Sequence, residues 1–159
     1  MGCVTFILVL ASALGCGLAA GVFFAFSTYV MPALGRLPAA QGIAAMQSIN
    51  VVAPRPFVIA QVGTAAITIA ASVAVLVDWD SAYGWCVLAA AFVYVLSIVV
   101  LTAVYHVPRN NALATVEPDD ARGQELWSRY LVDWTRWNHF RALLPLVACG
   151  LEIAALLAG

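Results

Sequence analysis

Long apolar runs alternate with short polar stretches along this chain. Four runs, at about residues 4–30, 57–77, 84–105 and 138–157, are long enough to cross a bilayer, which takes about 20 apolar residues per helix. The pattern predicts an all-α fold, an integral membrane four-helix bundle that forms one domain over residues 1–159.

Two further helices are predicted outside the spans. Residues 39–52 are too short and too polar to cross a membrane, and Ile43, Met46 and Ile49 recur there at three-residue spacing. This spacing predicts an interfacial helix between spans one and two. Before span four, apolar and charged residues fall on opposite sides of residues 122–137, which predicts an amphipathic helix leading into that span. Because proline lacks a backbone donor, we expect Pro108 to stop or kink span three.

Composition agrees with a membrane protein. The chain is 64% hydrophobic and 9% charged, whereas soluble domains carry roughly 25% charged residues. A water-facing surface cannot be built from so few charges, so the lipid bilayer is the expected surrounding. The formal net charge of −1 gives no reason to expect a nucleic acid partner.

The basic residues predict an orientation. All seven are arginines, which hints at GC-rich coding, and all lie beside the loops between spans one and two or between spans three and four. The loop between spans two and three carries only Asp78 and Asp80. By the positive-inside rule, we expect a bacterial cytoplasmic membrane protein with both termini outside.

Two polar segments at one predicted depth form the candidate site. Residues 105–111 end span three and residues 134–141 begin span four, so both should lie at the same membrane face. The candidate catalytic residues are His139, His106 and Arg141. The candidate substrate-binding residues are Tyr105, Asn50, Asn110, Asn111, Trp134, Trp137 and Asn138.

A lone carboxyl group lies within the fourth span. Glu152 falls in its outer half, where an unpaired charge would cost at least about 2.5 kcal/mol. The group should be protonated, paired or within reach of water. We favour a protonated carboxyl or one that reaches the outer interface.

Several segments together resemble a known family. They read GVFFAF at 21–26, MPAL at 31–34, MQSIN at 46–50, VPRNN at 107–111 and WTRWNHFR at 134–141. In this order they resemble the anthrone-oxygenase-like family of small four-span membrane proteins, whose members usually have asparagine where this chain has His106. The resemblance implies oxidation of a polycyclic anthrone to an anthraquinone by dioxygen, with no established organic cofactor.

The candidate residues suit such a reaction. His139 or His106 could remove the carbon-bound proton of the substrate. A guanidinium or amides could hold the developing oxyanion, from Arg141, Asn138 and Asn110 or Asn111. A flat, apolar ring system could stack on aromatic side chains, from Trp134, Trp137 and Tyr105. Asn50 would lie at the lip of the site.

Other interpretations remain open. Tryptophan and tyrosine at a membrane interface often serve only as anchors. Two histidines at one depth could also hold haem, copper or iron through His106 and His139, which would make the chain a redox protein. A non-catalytic scaffold or subunit is a further alternative. A homo-oligomer is also open.

Overall fold

Five helices make up the computed structural model, which describes all 159 residues and contains no strand. They are α1 (Cys3–Leu34), α2 (Ala39–Val52), α3 (Pro54–Val77), α4 (Ser81–Ala114) and α5 (Ala121–Ala158). All but α2 are long and apolar enough to cross a membrane. The predicted all-α, four-span bundle is therefore confirmed.

Both chain termini lie at one end of the bundle. The amino group of Met1 donates a hydrogen bond to the carbonyl oxygen of Gly159 across 3.1 Å. Four membrane crossings place the turn that carries Asp78 and Asp80 at this same end. The arginine-bearing connections lie at the opposite end, which we call the arginine-rich end. Which membrane face this end occupies stays a prediction.

Helix α2 has the predicted bounds and packs into a cap at the arginine-rich end. Ile43 and Met46 are fully buried in an apolar cluster with Leu113 of α4 and Trp127 of α5. The amide of Gln47 donates hydrogen bonds to the carbonyls of Leu113 and Val116, each at 2.9 Å. The predicted amphipathic helix is the first part of α5, which continues into the fourth span without interruption.

The sequence predicts that Pro108 stops or kinks span three, but the helix does not stop there. A π-helical stretch, Ser97–His106, precedes it, and helical structure then continues to Ala114. Proline removes one backbone donor and crowds the carbonyl four residues earlier. The wider π-helical turn changes which carbonyl each donor reaches, so the helix accommodates the proline without ending.

Glu152 is buried and does not reach the interface, so that part of the prediction is wrong. Its side chain has no exposed surface, and Oε1 lies 2.8 Å from Ser12 Oγ. Ser12 Oγ lies 2.7 Å from Thr68 Oγ1, which lies 2.8 Å from the carbonyl oxygen of Thr64. These three contacts need three hydrogens, but the two hydroxyl groups supply only two. The three contacts join α5 to α1 and α3, and a protonated carboxyl would supply the third hydrogen.

We predict that Glu152→Gln unfolds at nearly the wild-type temperature, because a neutral amide retains the donor and the shape. Glu152→Ala should lose about 1–3 kcal/mol, since it leaves Ser12 without its partner in a buried position. Thermal unfolding of the purified protein, followed by circular dichroism, measures both. Equal destabilisation by the two variants would show that an ionised carboxylate is required.

Candidate functional site

A cavity of about 690 Å³ lies in the arginine-rich half of the bundle. This volume is typical of small-molecule sites, which are mostly apolar with a few placed polar groups. The walls are mainly apolar, from all five helices. The polar side chains of the wall include Asn50, Gln61, Thr102, His106, Asn110 and Arg141.

Arg141 is a buried cation without a carboxylate partner. Its side chain is 6% exposed, and its guanidinium carbon lies 4.2 Å from the ring centre of Phe23 and 5.0 Å from that of Trp134. The one ion pair in the chain joins Arg129 and Glu125 on the exposed side of α5. Burying a charge without a counterion is costly. A ligand with a negative or partly negative oxygen near Arg141 would therefore be stabilised.

The side-chain amide of Asn138 fixes Arg141 in place. Its Oδ1 accepts hydrogen bonds from Arg141 Nε at 2.9 Å and from Nη2 at 2.7 Å. Its Nδ2 donates to the carbonyl oxygen of Phe23 at 2.7 Å and to Ser27 Oγ at 2.8 Å. Because both ends of the amide are used, the guanidinium is tied to α1 at the point where a second π-helical turn, Phe26–Val30, begins.

His106 lies in the cavity wall with both ring nitrogens buried and without a hydrogen-bond partner in the chain. The imidazole is fully buried, and its ring centre lies 4.8 Å from that of Trp134 and 5.3 Å from that of Tyr105. Neither ring nitrogen has a hydrogen-bond partner, and the same holds for Asn50 Nδ2 and Thr102 Oγ1. Buried polar groups almost always have partners. Three such side chains therefore contribute polar atoms without partners in the chain to the wall of one cavity.

Asn110 positions one wall of the cavity. Its Oδ1 accepts hydrogen bonds from Tyr130 Oη at 2.7 Å and from Trp134 Nε1 at 2.9 Å. Both donors belong to α5, whereas Asn110 belongs to α4. These bonds orient the Trp134 ring, which packs against His106 and Phe26 and lines the cavity.

The structure brings together six of the predicted site residues. His106, Arg141, Trp134, Asn50 and Asn110 line the cavity, and Asn111 lies exposed at its edge. Asn138 lies behind Arg141 and does not line the wall.

His139 lies outside the cavity, so the prediction that both histidines face one hollow is wrong. Its side chain is exposed and lines a separate surface groove with Pro32 and Arg36. The reason is helical phase: Trp134, Asn138 and Arg141 recur every three or four residues on the buried face. His139 follows Asn138 by one residue and therefore points away.

Tyr105 and Trp137 also lie off the cavity wall. Their ring centres are 4.9 Å apart, and the Arg109 guanidinium lies 3.4 Å above the Tyr105 ring. Trp137 is 40% exposed. The pair forms an aromatic surface beside the cavity, as expected of interface anchors.

The residues present do not fit a haem or metal held by His106 and His139, because the two imidazoles face different spaces. No group of three histidine, cysteine, aspartate or glutamate side chains is close enough to hold a metal ion.

Sequence reasoning missed most of the cavity wall, including Phe23, Phe57, Gln61 and Thr102. A signal was present for two of these four. Thr102 lies four residues before His106 on α4, and Gln61 begins a polar row with Thr64 and Thr68 on α3. Polar groups at helical spacing inside an apolar span indicate a bundle interior or a cavity.

These features define a class of protein: a four-span membrane protein with a largely apolar, ligand-sized cavity that carries an imidazole and a guanidinium. The sequence profile of the anthrone oxygenase family matches residues 56–151. This is more than half of the chain, so the chain belongs to the anthrone oxygenase family. The match includes both His106 and Arg141. No curated protein and no solved structure matches the chain.

We predict that Asn110→Leu destabilises the protein by about 1–3 kcal/mol, because Tyr130 and Trp134 then lose their buried acceptor. Asn111→Leu is the matched control, since its side chain is exposed and makes no hydrogen bond within the chain. Unfolding temperatures in detergent measure the difference. Equal values for the two variants would contradict a positioning role for Asn110.

Proposed function

We propose that the protein is a membrane-embedded oxygenase that oxidises an apolar, anthrone-type or phenolic polycycle with dioxygen. The observation that carries the proposal is the Arg141 guanidinium, buried without a carboxylate, in the same cavity as the unpartnered imidazole of His106. Membership of the anthrone oxygenase family supports the reaction class, whereas the base proposed here is particular to this chain, since family members usually have asparagine in place of His106.

The cavity suits a flat apolar ring system. Phe23, Phe57 and Trp134 contribute aromatic faces to its wall, and offset or edge-on contacts with such faces favour aromatic ligands. A substrate carbonyl directed at Arg141 would meet Nη1, because the contacts with Asn138 use only Nε and Nη2.

The first step is removal of a proton from the methylene carbon of the anthrone. A neutral imidazole has one acceptor nitrogen, and His106 takes the proton on it. The electron pair left on carbon delocalises into the rings and onto the carbonyl oxygen. Arg141 stabilises this oxyanion in a site largely free of water, where a fixed charge is most effective.

The second step adds oxygen to the same carbon. The electron-rich anion reduces dioxygen, a carbon–oxygen bond forms, and the imidazolium returns its proton to give a hydroperoxide. His106 then takes the second carbon-bound proton as the oxygen–oxygen bond breaks. The leaving hydroxide accepts that proton, so one anthrone and one dioxygen give one anthraquinone and one water.

We predict that His106→Asn lowers the turnover of anthrone by at least about 100-fold, because loss of a general base has this effect. Asparagine retains the hydrogen-bonding capacity of the position but cannot accept the proton. His139→Asn should retain wild-type turnover, since that side chain lies outside the cavity. Oxygen uptake and the absorbance of anthraquinone measure both rates.

Two results would contradict the proposal. Wild-type turnover by His106→Asn would remove its base. If the wild-type protein consumed no oxygen with anthrone or with a panel of phenolic polycycles, the oxygenase function would fail. The non-catalytic scaffold would then be the better interpretation.

A further inference from the structure

The cavity has a side opening bordered by two rows of exposed residues. On α3 the row is Pro54, Val58 and Val62, and on α4 it is Ala103, Val107 and Asn111. Each row has four-residue spacing, so each follows one face of its helix. All six residues line the cavity and are also exposed, and they therefore mark its edge.

The opening exists because α3 and α4 part toward the arginine-rich end. Helix α3 packs against Ser81–Leu96, the first part of α4, but scarcely against the π-helical stretch Ser97–His106. The two helices are thus neighbours at the end that carries the termini, and they are apart from each other toward the arginine-rich end. The cavity occupies the space between them.

The inner part of the opening lies deeper in the spans than the arginines that flank it. Arg55 and Arg109 are close in sequence to the outermost members of the rows, and arginines at the ends of spans are expected at the headgroup level. Val58, Val62 and Ala103 lie three to seven residues further into the spans, roughly 5–10 Å deeper at about 1.5 Å per residue. Neither row contains a charged residue.

A packed cap closes the cavity between α2, α4 and α5. At the arginine-rich end, Met46, Leu113 and Trp127 belong to one buried apolar cluster that joins α2, α4 and α5. Gln47 adds its two hydrogen bonds to the end of α4 and to the turn that follows it. A ligand that came between these three helices would have to open this cap.

We infer that the gap between the two rows is a lateral portal, through which an apolar polycyclic molecule dissolved in the bilayer enters the cavity. The inference rests on the proposed function for the identity of this molecule. The portal itself rests on the exposed rows, the parted helices and the closed cap. Entry from lipid explains how a substrate with little solubility in water reaches His106 and Arg141.

The test uses a thiol placed inside the cavity. Thr102→Cys is made in a chain whose four native cysteines are replaced, and the protein is reconstituted in phospholipid vesicles. The portal predicts that N-phenylmaleimide dissolved in the bilayer labels this thiol, whereas a charged, membrane-impermeant maleimide does not. Adding Ala103→Phe at the portal should slow labelling at least about tenfold by restricting access.

Val73→Phe is the matched control. Val73 also belongs to α3 and is 55% exposed, but it does not line the cavity, so labelling should keep its rate. Labelling by the charged reagent at the rate of the apolar one would overturn the portal. Unchanged labelling with Ala103→Phe would overturn it too, as would a thiol inert to both reagents because a tightly held lipid fills the cavity.

Anthraquinone added to the vesicles separates this inference from the proposed function. Protection of Thr102→Cys by anthraquinone supports both. Labelling that depends on the portal but is not slowed by anthraquinone would leave the portal standing and contradict the choice of substrate. The measurement requires no turnover, so a failed oxygenase assay does not affect it.

Discussion

One amide group, that of Asn138, connects the packing of the bundle to the chemistry of its cavity. Its nitrogen is bound by α1, and its oxygen accepts two hydrogen bonds from Arg141. Aromatic rings of Phe23 and Trp134 flank the guanidinium. These contacts offset part of the cost of burying the charge, but none of them neutralises it. The guanidinium is therefore fixed in position without an anionic partner from the chain.

Span length and helical spacing explain which features could be predicted from the sequence. Apolar runs of the length that a bilayer requires determine the four spans, and Pro54 follows the end of α2, so these elements were predictable. The error about His139 came from grouping polar residues by adjacency. A buried stripe at three- and four-residue spacing runs along α5 from Trp127 to Ala155. This stripe includes Asn138 and Arg141 and omits His139, so helical phase would have corrected the prediction.

Other features could not be predicted from one sequence. Asn50 and His106 line one cavity because α2 packs against α4 and α5, and local patterns do not specify this packing. The π-helical stretches depend on packing as well as on composition. Ser97–His106 lets α4 continue past Pro108, and α3 leaves it largely uncovered. The π-helical stretch Ser97–His106 thus contains the buried imidazole and borders the gap between α3 and α4.

The central claim is that Arg141 recognises oxygen on an apolar ring system, and a pair of ligands tests it directly. Anthraquinone and anthracene have the same tricyclic skeleton, but only anthraquinone carries oxygen. Binding to the purified protein can be followed by quenching of tryptophan fluorescence. Wild type should prefer anthraquinone by at least about tenfold, the effect of a hydrogen bond to a charged group, and Arg141→Gln should abolish the preference. An unchanged preference in Arg141→Gln would contradict the account.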